Sequence, residues 1–310
     1  MNGVLVIDKP AGRTSFDVVN EVKRLTGARK AGHTGTLDPL ATGVLPVCIN
    51  EATKLVSFLV EDSKDYRATM LLGVRTDTED IDGSVIARVD PEVSSEDVEE
   101  TLRSFLGRIR QNPPRYSALK YQGRPLYKWA RMGIVIDPSP RTVEIKSLEV
   151  ESIALPYVTF HVSCSKGTYI RSLCADAGDR LGCGACLAAL RRTRSGGFTE
   201  ASALAIGVGQ SAIGREELLA RIIPMADALP EVPAISVDAS LAGKLRDGYQ
   251  PVVTVLRGYH VPFLAAGDMI SFVDGGRHLI ATARMLYSTE QMGALEGGRQ
   301  VVKILRVFNS

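Results

Sequence analysis

Cysteine is scarce and scattered in this sequence: Cys48, Cys164, Cys174, Cys183 and Cys186 among 310 residues. An odd number spread over such a length is not a secreted disulfide framework. Cys183-Gly184-Ala185-Cys186 has the spacing of a redox pair or of half a zinc site. No further Cys or His lies at finger spacing to complete four ligands, so reduced, packed thiols in a cytosolic protein are expected. Long apolar runs are missing too; none approaches the roughly 18–20 residues that span a bilayer, which argues against a membrane partner. Met1 to Ile7 is apolar but lacks a basic leader, and Asp8-Lys9-Pro10 cuts it short, so it is not expected to be a signal peptide. Charge of one sign is not in excess either. Against 37 Lys and Arg stand 35 Asp and Glu, a net charge of +2, which excludes a generally sticky polycation. Neither Gly-Lys-Ser/Thr nor G-x-G-x-x-G occurs, and with them go the usual phosphate loops.

What is present is the composition of an ordinary globular protein, 45% hydrophobic and 23% charged, with a length that suggests two domains. Gly3 to Ile7 reads as a buried strand ended by Pro10 and Gly12. Thr14 and Asp17 then open a helix carrying Val18, Val19, Val22 and Leu25, and Gly27 stops it. A loop over 29–39 leads to a strand at Val44 to Ile49. Tyr66 to Leu72 alternates as a strand, and Ser94 with Asp97 caps a helix that Gly107 ends. Val158 to Val162 predicts a strand, and Ile170 to Leu181 a helix closed by Gly182. Strands and helices mix without a regular βαβ beat, so the class is α+β. Pro224, Pro230 and Pro233 mark a linker, predicting domains at 1–228 and 232–310. Beyond it, Val252 to Leu256, Met269 to Val273, His278 to Ala283 and Val301 to Val307 read as short strands of a mostly-β module.

The near-neutral total hides segregation. From Asp77 to Glu100 there are ten acids and one base; from Arg103 to Lys146, ten bases and two acids; from Ser163 to Gly197, six bases and two acids. Such runs are commonly solvated faces. The middle run also interleaves Tyr116, Tyr121, Tyr127 and Trp129 with its bases, a pattern suited to base stacking and phosphate contact, so RNA is a candidate partner.

The densest segment is Gly32-His33-Thr34-Gly35-Thr36-Leu37-Asp38-Pro39-Leu40-Ala41-Thr42-Gly43-Val44-Leu45. Pro39 pushes Asp38 towards extended geometry, and the glycines admit a ligand close to backbone. One reading is a Gly/Thr turn whose Asp caps its own backbone. The other is a lone carboxylate acting as nucleophile or base in a metal-free site.

Gly32 to Leu45 resembles the catalytic-Asp motif of the pseudouridine synthases of the tRNA pseudouridine-55 synthase type, the bacterial relatives of dyskerin. Val6 to Gly12 with Ser15 is similar to that family's opening motif, and Lys64-Asp65-Tyr66-Arg67 to its Tyr motif. Pro113 to Lys120 with Gly123 to Tyr127 resembles the RNA-gripping insertion of stand-alone members, and Cys164 to Arg171 with Leu190-Arg191-Arg192 completes the set. The resemblance spans most of residues 3–198. It implies a mixed, largely antiparallel sheet in the catalytic domain, an insertion over about 110–141, and a PUA-like carboxy-terminal domain. It also implies isomerisation of uridine 55 in the T-loop of tRNA without cofactor or metal, by a cytoplasmic monomer needing no guide RNA.

By the same resemblance Asp38 is the essential catalytic group, Arg171 pairs with it in a bidentate contact that holds it ionised and aimed, and Tyr66 stacks on the target base. The target uridine lies within a folded loop and must be extruded. His33 then stacks in its place, Leu190 lines the pocket, and Lys9 and Lys166 meet phosphates. Tyr169 joins them as a substrate contact, with Arg115, Tyr116 and Lys120 of the insertion; the carboxy-terminal domain meets the acceptor end. A non-catalytic tRNA-binding or folding factor on the same scaffold is the alternative.

Overall fold

The computed structural model describes residues 1–60, 63–206 and 214–309. Its largest element is a ten-stranded sheet whose main path runs Leu204–Ala205, Gly3–Lys9, Thr42–Ile49, Ala185–Ser195, Lys64–Leu72, Tyr157–Cys164, Arg141–Ala154, Gly107–Gln111. Within this sheet, among the described residues, only the pairings of Gly3–Lys9 with Leu204–Ala205 and of Thr42–Ile49 with Ala185–Ser195 are parallel. The sheet is therefore mixed and largely antiparallel, and the α+β class holds.

Local chemistry sets the helices. Thr14 and Asp17 form a reciprocal capping box at the start of Ser15–Thr26, and Gly27, at φ 70°, ends it. Val18, Val19 and Val22 bury against the sheet. Ser94 and Asp97 repeat the device at Ser95–Arg103. Gly107, expected only as a helix stop, instead begins the edge strand Gly107–Gln111.

Strands with no counterpart in the sequence reading include Ala31–His33, Arg141–Ala154 and Ala185–Ser195. The long ones are bulged, with register shifts between Ile145 and Ser147, Val150 and Ser152, Leu187 and Ala189, and Arg192 and Arg194. Each bulge breaks the two-residue alternation by which a strand is read.

A second sheet orders Ala234–Ser236, Met269–Val273, Leu279–Met285 and Val302–Val307. Here one expectation fails. Val252 to Leu256 is not a strand but contains the helical turn Val253–Leu256, which buries Val253 and Leu256; the valines suggested extension, and core packing overrode them. The helix Ala239–Arg246, capped by Asp238, was also not foreseen.

The two sheets share apolar contacts. Val4, Val6, Val44 and Cys48 of the large sheet join Leu55, Leu59, Val273, Leu279 and Phe308 in one buried cluster. Met225, Ala228 and Leu229, within the stretch expected as a linker, belong to it, so that stretch is packed. Lys54 Nζ donates to Val307 O at 2.8 Å, and Asn309 N to Glu51 Oε2 at 3.1 Å, beside the same cluster. Among the described residues no helix is long and apolar enough to cross a membrane.

Candidate active site

Segments remote in sequence converge on a cleft of about 330 Å3 on the large sheet. Asp38 and its loop, Tyr66 on the central strand, Leu190 and Arg192 on the bulged strand, and Lys166, Tyr169 and Arg171 around a helix start all line it.

The Asp38 loop is held by its backbone. Ser15 Oγ donates to Leu37 O at 3.0 Å and accepts from Leu37 N at 2.8 Å, while Gly12 N donates to Pro39 O at 2.9 Å. Lys9 Nζ donates to Pro10 O (2.8 Å), Arg13 O (2.6 Å) and Pro39 O (3.2 Å). The expected phosphate role of Lys9 is thereby corrected. Its side chain is 0% exposed and its three donors are spent on carbonyls, so it fixes the loop and does not reach RNA. Burial lowers its pKa to about 8, the charge of Asp38 opposing that shift.

Arg171, 4% exposed, places Nε 2.8 Å from Oδ2 of Asp38, whose side chain is 33% exposed. The Nε–H does not point along that line, so the contact is an ion pair and not an aligned hydrogen bond. The fork expected between the two does not form. Nη1 donates instead to Thr78 O at 2.7 Å and lies 3.6 Å from Asp80 Oδ2, and Nη2 donates to Tyr116 O at 2.8 Å. The guanidinium is thus fixed from behind and offers one edge to Asp38.

Asp80 was missed because it sits in an acidic run that reads as solvated surface. It is buried, and burial raises its carboxyl pKa against the pull of Thr78 and Arg171. Glu79 beside it is also raised by burial and accepts from Ser172 Oγ at 2.7 Å.

Tyr66 stands directly across the ladder from Arg192. Burial raises its phenol pKa, with Arg192 opposing, so the resting hydroxyl is protonated. Arg192, quoted in the motif but given no role, is 1% exposed; its Nε donates to Val44 O at 2.7 Å and Nη2 to Gly35 O at 3.1 Å. Its strand approaches Thr42–Ile49 closely only because Gly43 has no side chain: at φ +98°, an added Cβ would lie 2.3 Å from Arg192 O.

His33 stands outside the cleft lining, on Ala31–His33, where Nδ1 accepts from Gly35 N at 3.3 Å. Burial, then Arg192, lowers its pKa, which keeps the ring neutral at pH 7. Arg115 is exposed, paired to Asp137 Oδ1 at 3.0 Å, and Lys120 is exposed on the Lys120–Tyr121 strand. Both lie outside the cleft, and Tyr116 reaches the site through its carbonyl. The excursion carrying these residues leaves and rejoins the sheet at paired positions, Gln111 opposite Arg141. Two of its cations already stack on its own aromatics: Arg124 lies 5.0 Å from the Trp129 ring and Arg131 5.6 Å from Tyr127.

No group of three or more His, Cys, Asp or Glu is arranged to hold a metal among the described residues. All five thiols are free and buried, and burial raises Cys164 and Cys186 to about 11 and Cys48 to about 12. The cleft therefore presents one partly exposed carboxylate against a buried arginine, a buried phenol beneath, and an apolar wall at Leu190.

Comparison with known proteins places this arrangement in context. Residues 23–170 match the model of the TruB family pseudouridylate synthase N-terminal domain, and residues 171–229 that of the tRNA pseudouridylate synthase B C-terminal domain. The chain is 56% identical, over 100% of its length and 99% of the relative's, to a protein of Syntrophus aciditrophicus (strain SB) named tRNA pseudouridine synthase B. A protein of the same name from Burkholderia mallei (strain NCTC 10247) is 44% identical, over 92% of this chain and 93% of that one. Among solved structures, a chain of a Cbf5-Nop10-Gar1 complex matches with a TM-score of 0.73 at 29% identity, covering 99% of this chain and 85% of that one.

Proposed function

The chain belongs to the TruB family of pseudouridylate synthases, and from that premise we propose that it isomerises uridine to pseudouridine in tRNA, at position 55 of the T-loop. The observation that carries the reading is the Asp38–Arg171 pair at a cleft floored by Tyr66. The reaction breaks N1–C1′, turns the base and rejoins it through C5. It needs no net redox change, and one positioned carboxylate with a closely shaped pocket suits it.

In this reading Asp38 is the essential group and Arg171 orients it. Tyr66 and Leu190 bracket the extruded base, with Lys166 and Tyr169 at the rim. His33, neutral and outside the cleft, suits a stacking contact better than an acid's role. The basic insertion at about 110–141, with Arg115, Tyr116 and Lys120, grips RNA by shape and charge without a guide RNA. Residues 1–228 form the catalytic domain. The second sheet, within 232–310, serves as a PUA-like module against the acceptor end. The protein works as a cytoplasmic monomer without cofactor.

The test is release of tritium from a T-arm stem-loop labelled at uridine C5, in buffer free of metal and cofactor. Wild type should release it. Asp38→Asn should lose at least roughly 10³-fold in turnover while binding the RNA normally. Binding without release by the wild type would favour a non-catalytic tRNA-binding factor.

A further inference from the structure

Two of the cations buried at the cleft, Lys9 and Arg192, differ in kind. Lys9 can shed its proton as pH rises; a guanidinium cannot. Arg192 nevertheless forms no ion pair among the described residues, whereas Arg171 has both Asp38 and Asp80. The carbonyls of Val44 and Gly35 satisfy two of its nitrogens but leave its charge uncompensated. Burying an unpaired charge is costly, and neutral donors could have held the same carbonyls. Directly opposite residues of a ladder project to one face, so Arg192 and Tyr66 share the floor of the cleft. The Arg192 charge acts on the Tyr66 hydroxyl, opposing the rise that burial gives its pKa.

When N1–C1′ opens, the bonding pair stays with uracil and spreads from N1 to O2 and O4. Joining C1′ to C5, losing the C5 proton and gaining one at N1 restore neutrality. We infer that Arg192 is a positioning residue for this step, its fixed charge passed through the Tyr66 hydroxyl to stabilise the negative charge on the detached base. That need arises whether Asp38 attacks the sugar or removes a ribose proton, since both routes free the same conjugated base. The inference rests on the proposed isomerisation and names a residue that acts within it.

The test compares single-turnover loss of the starting nucleoside from T-arm stem-loops carrying uridine or 5-fluorouridine at the target, read by nucleoside chromatography; a C5 fluorine blocks the final proton loss but not N1–C1′ cleavage and rejoining at C5. Fluorine makes the detached base a more stable anion, which needs less help. Arg192→Gln should slow the uridine substrate by roughly 10²-fold, as loss of an oxyanion donor does, and the fluorinated one much less. Equal losses on both substrates by a folded variant would overturn the inference. Should Arg192→Gln fail to fold, Arg192→Lys carries the test. The introduced lysine, seated near Lys9, Lys64, His33 and Tyr66, should lose its proton above neutrality. Its rate relative to wild type should then fall between about pH 7 and 9, the ratio cancelling the neighbours' own titrations. A flat ratio overturns the inference. Failure of the wild type to convert either substrate would instead sink the proposed function.

Discussion

Ser15 and Lys9 hold the loop that carries Asp38 through Leu37 and Pro39 backbone atoms, leaving the carboxylate itself a third exposed. Arg171 is held in the same manner, by the carbonyls of Thr78 and Tyr116 and by buried Asp80. Reactive groups are free because their supports are not. The support by Lys9 has a pH signature. Folding lowers its pKa from the ordinary 10.5 to about 8, so between those values the unfolded chain binds more protons than the folded one. Stability contributed by this group therefore rises with pH across that window. Compared with Lys9→Met, wild type should gain relative unfolding free energy from pH 8 to 10.5 in denaturant titrations. A pH-independent difference would contradict the assignment. Neither Lys9 nor Asp80 betrays this role in sequence, because whether a charge is buried depends on what folds over it.

At the scale of elements, the helices opened by capping boxes were legible and the decisive strand was not. A capping box and a terminal glycine act within a few residues, so Thr14, Asp17 and Gly27 announce Ser15–Thr26 directly. Ala185–Ser195 brings Leu190 and Arg192 to the cleft, yet its two register shifts erase the alternation that would reveal it. Its seat depends on Gly43, where the neighbouring strand comes within a side chain's reach of Arg192 O. Gly43→Ala combines a disfavoured φ with that clash. A loss of about 2–4 kcal/mol is expected, read as a lower urea midpoint at unchanged slope. An unchanged midpoint would show that the strands can separate freely. Val253–Leu256 is the converse lesson: β-branched residues favoured a strand locally, and the buried seats of Val253 and Leu256 required a turn of helix.

For the whole molecule, Phe308 closes the apolar cluster between the two sheets and is fully buried. Truncation as Phe308→Ala should cost about 3–5 kcal/mol and lower the melting midpoint of the intact chain. A neutral result would mean that the two sheets do not support each other. The small net charge is also a whole-molecule quantity, and it conceals a division of labour. The acidic run supplies Asp80 and the Thr78 carbonyl to Arg171, while the basic insertion stacks Arg124 and Arg131 on its own Trp129 and Tyr127. The sequence by itself determined the α+β class, the family and the candidacy of Asp38, Tyr66 and Arg171, because these rest on short-range patterns and matched motifs. Only the tertiary structure decided that Lys9 is structural, that Asp80 backs Arg171, and that Arg192 lies beside Tyr66 with no ion pair among the described residues. Those outcomes turn on burial and on which distant segments meet, and neither is encoded by any local stretch of chain.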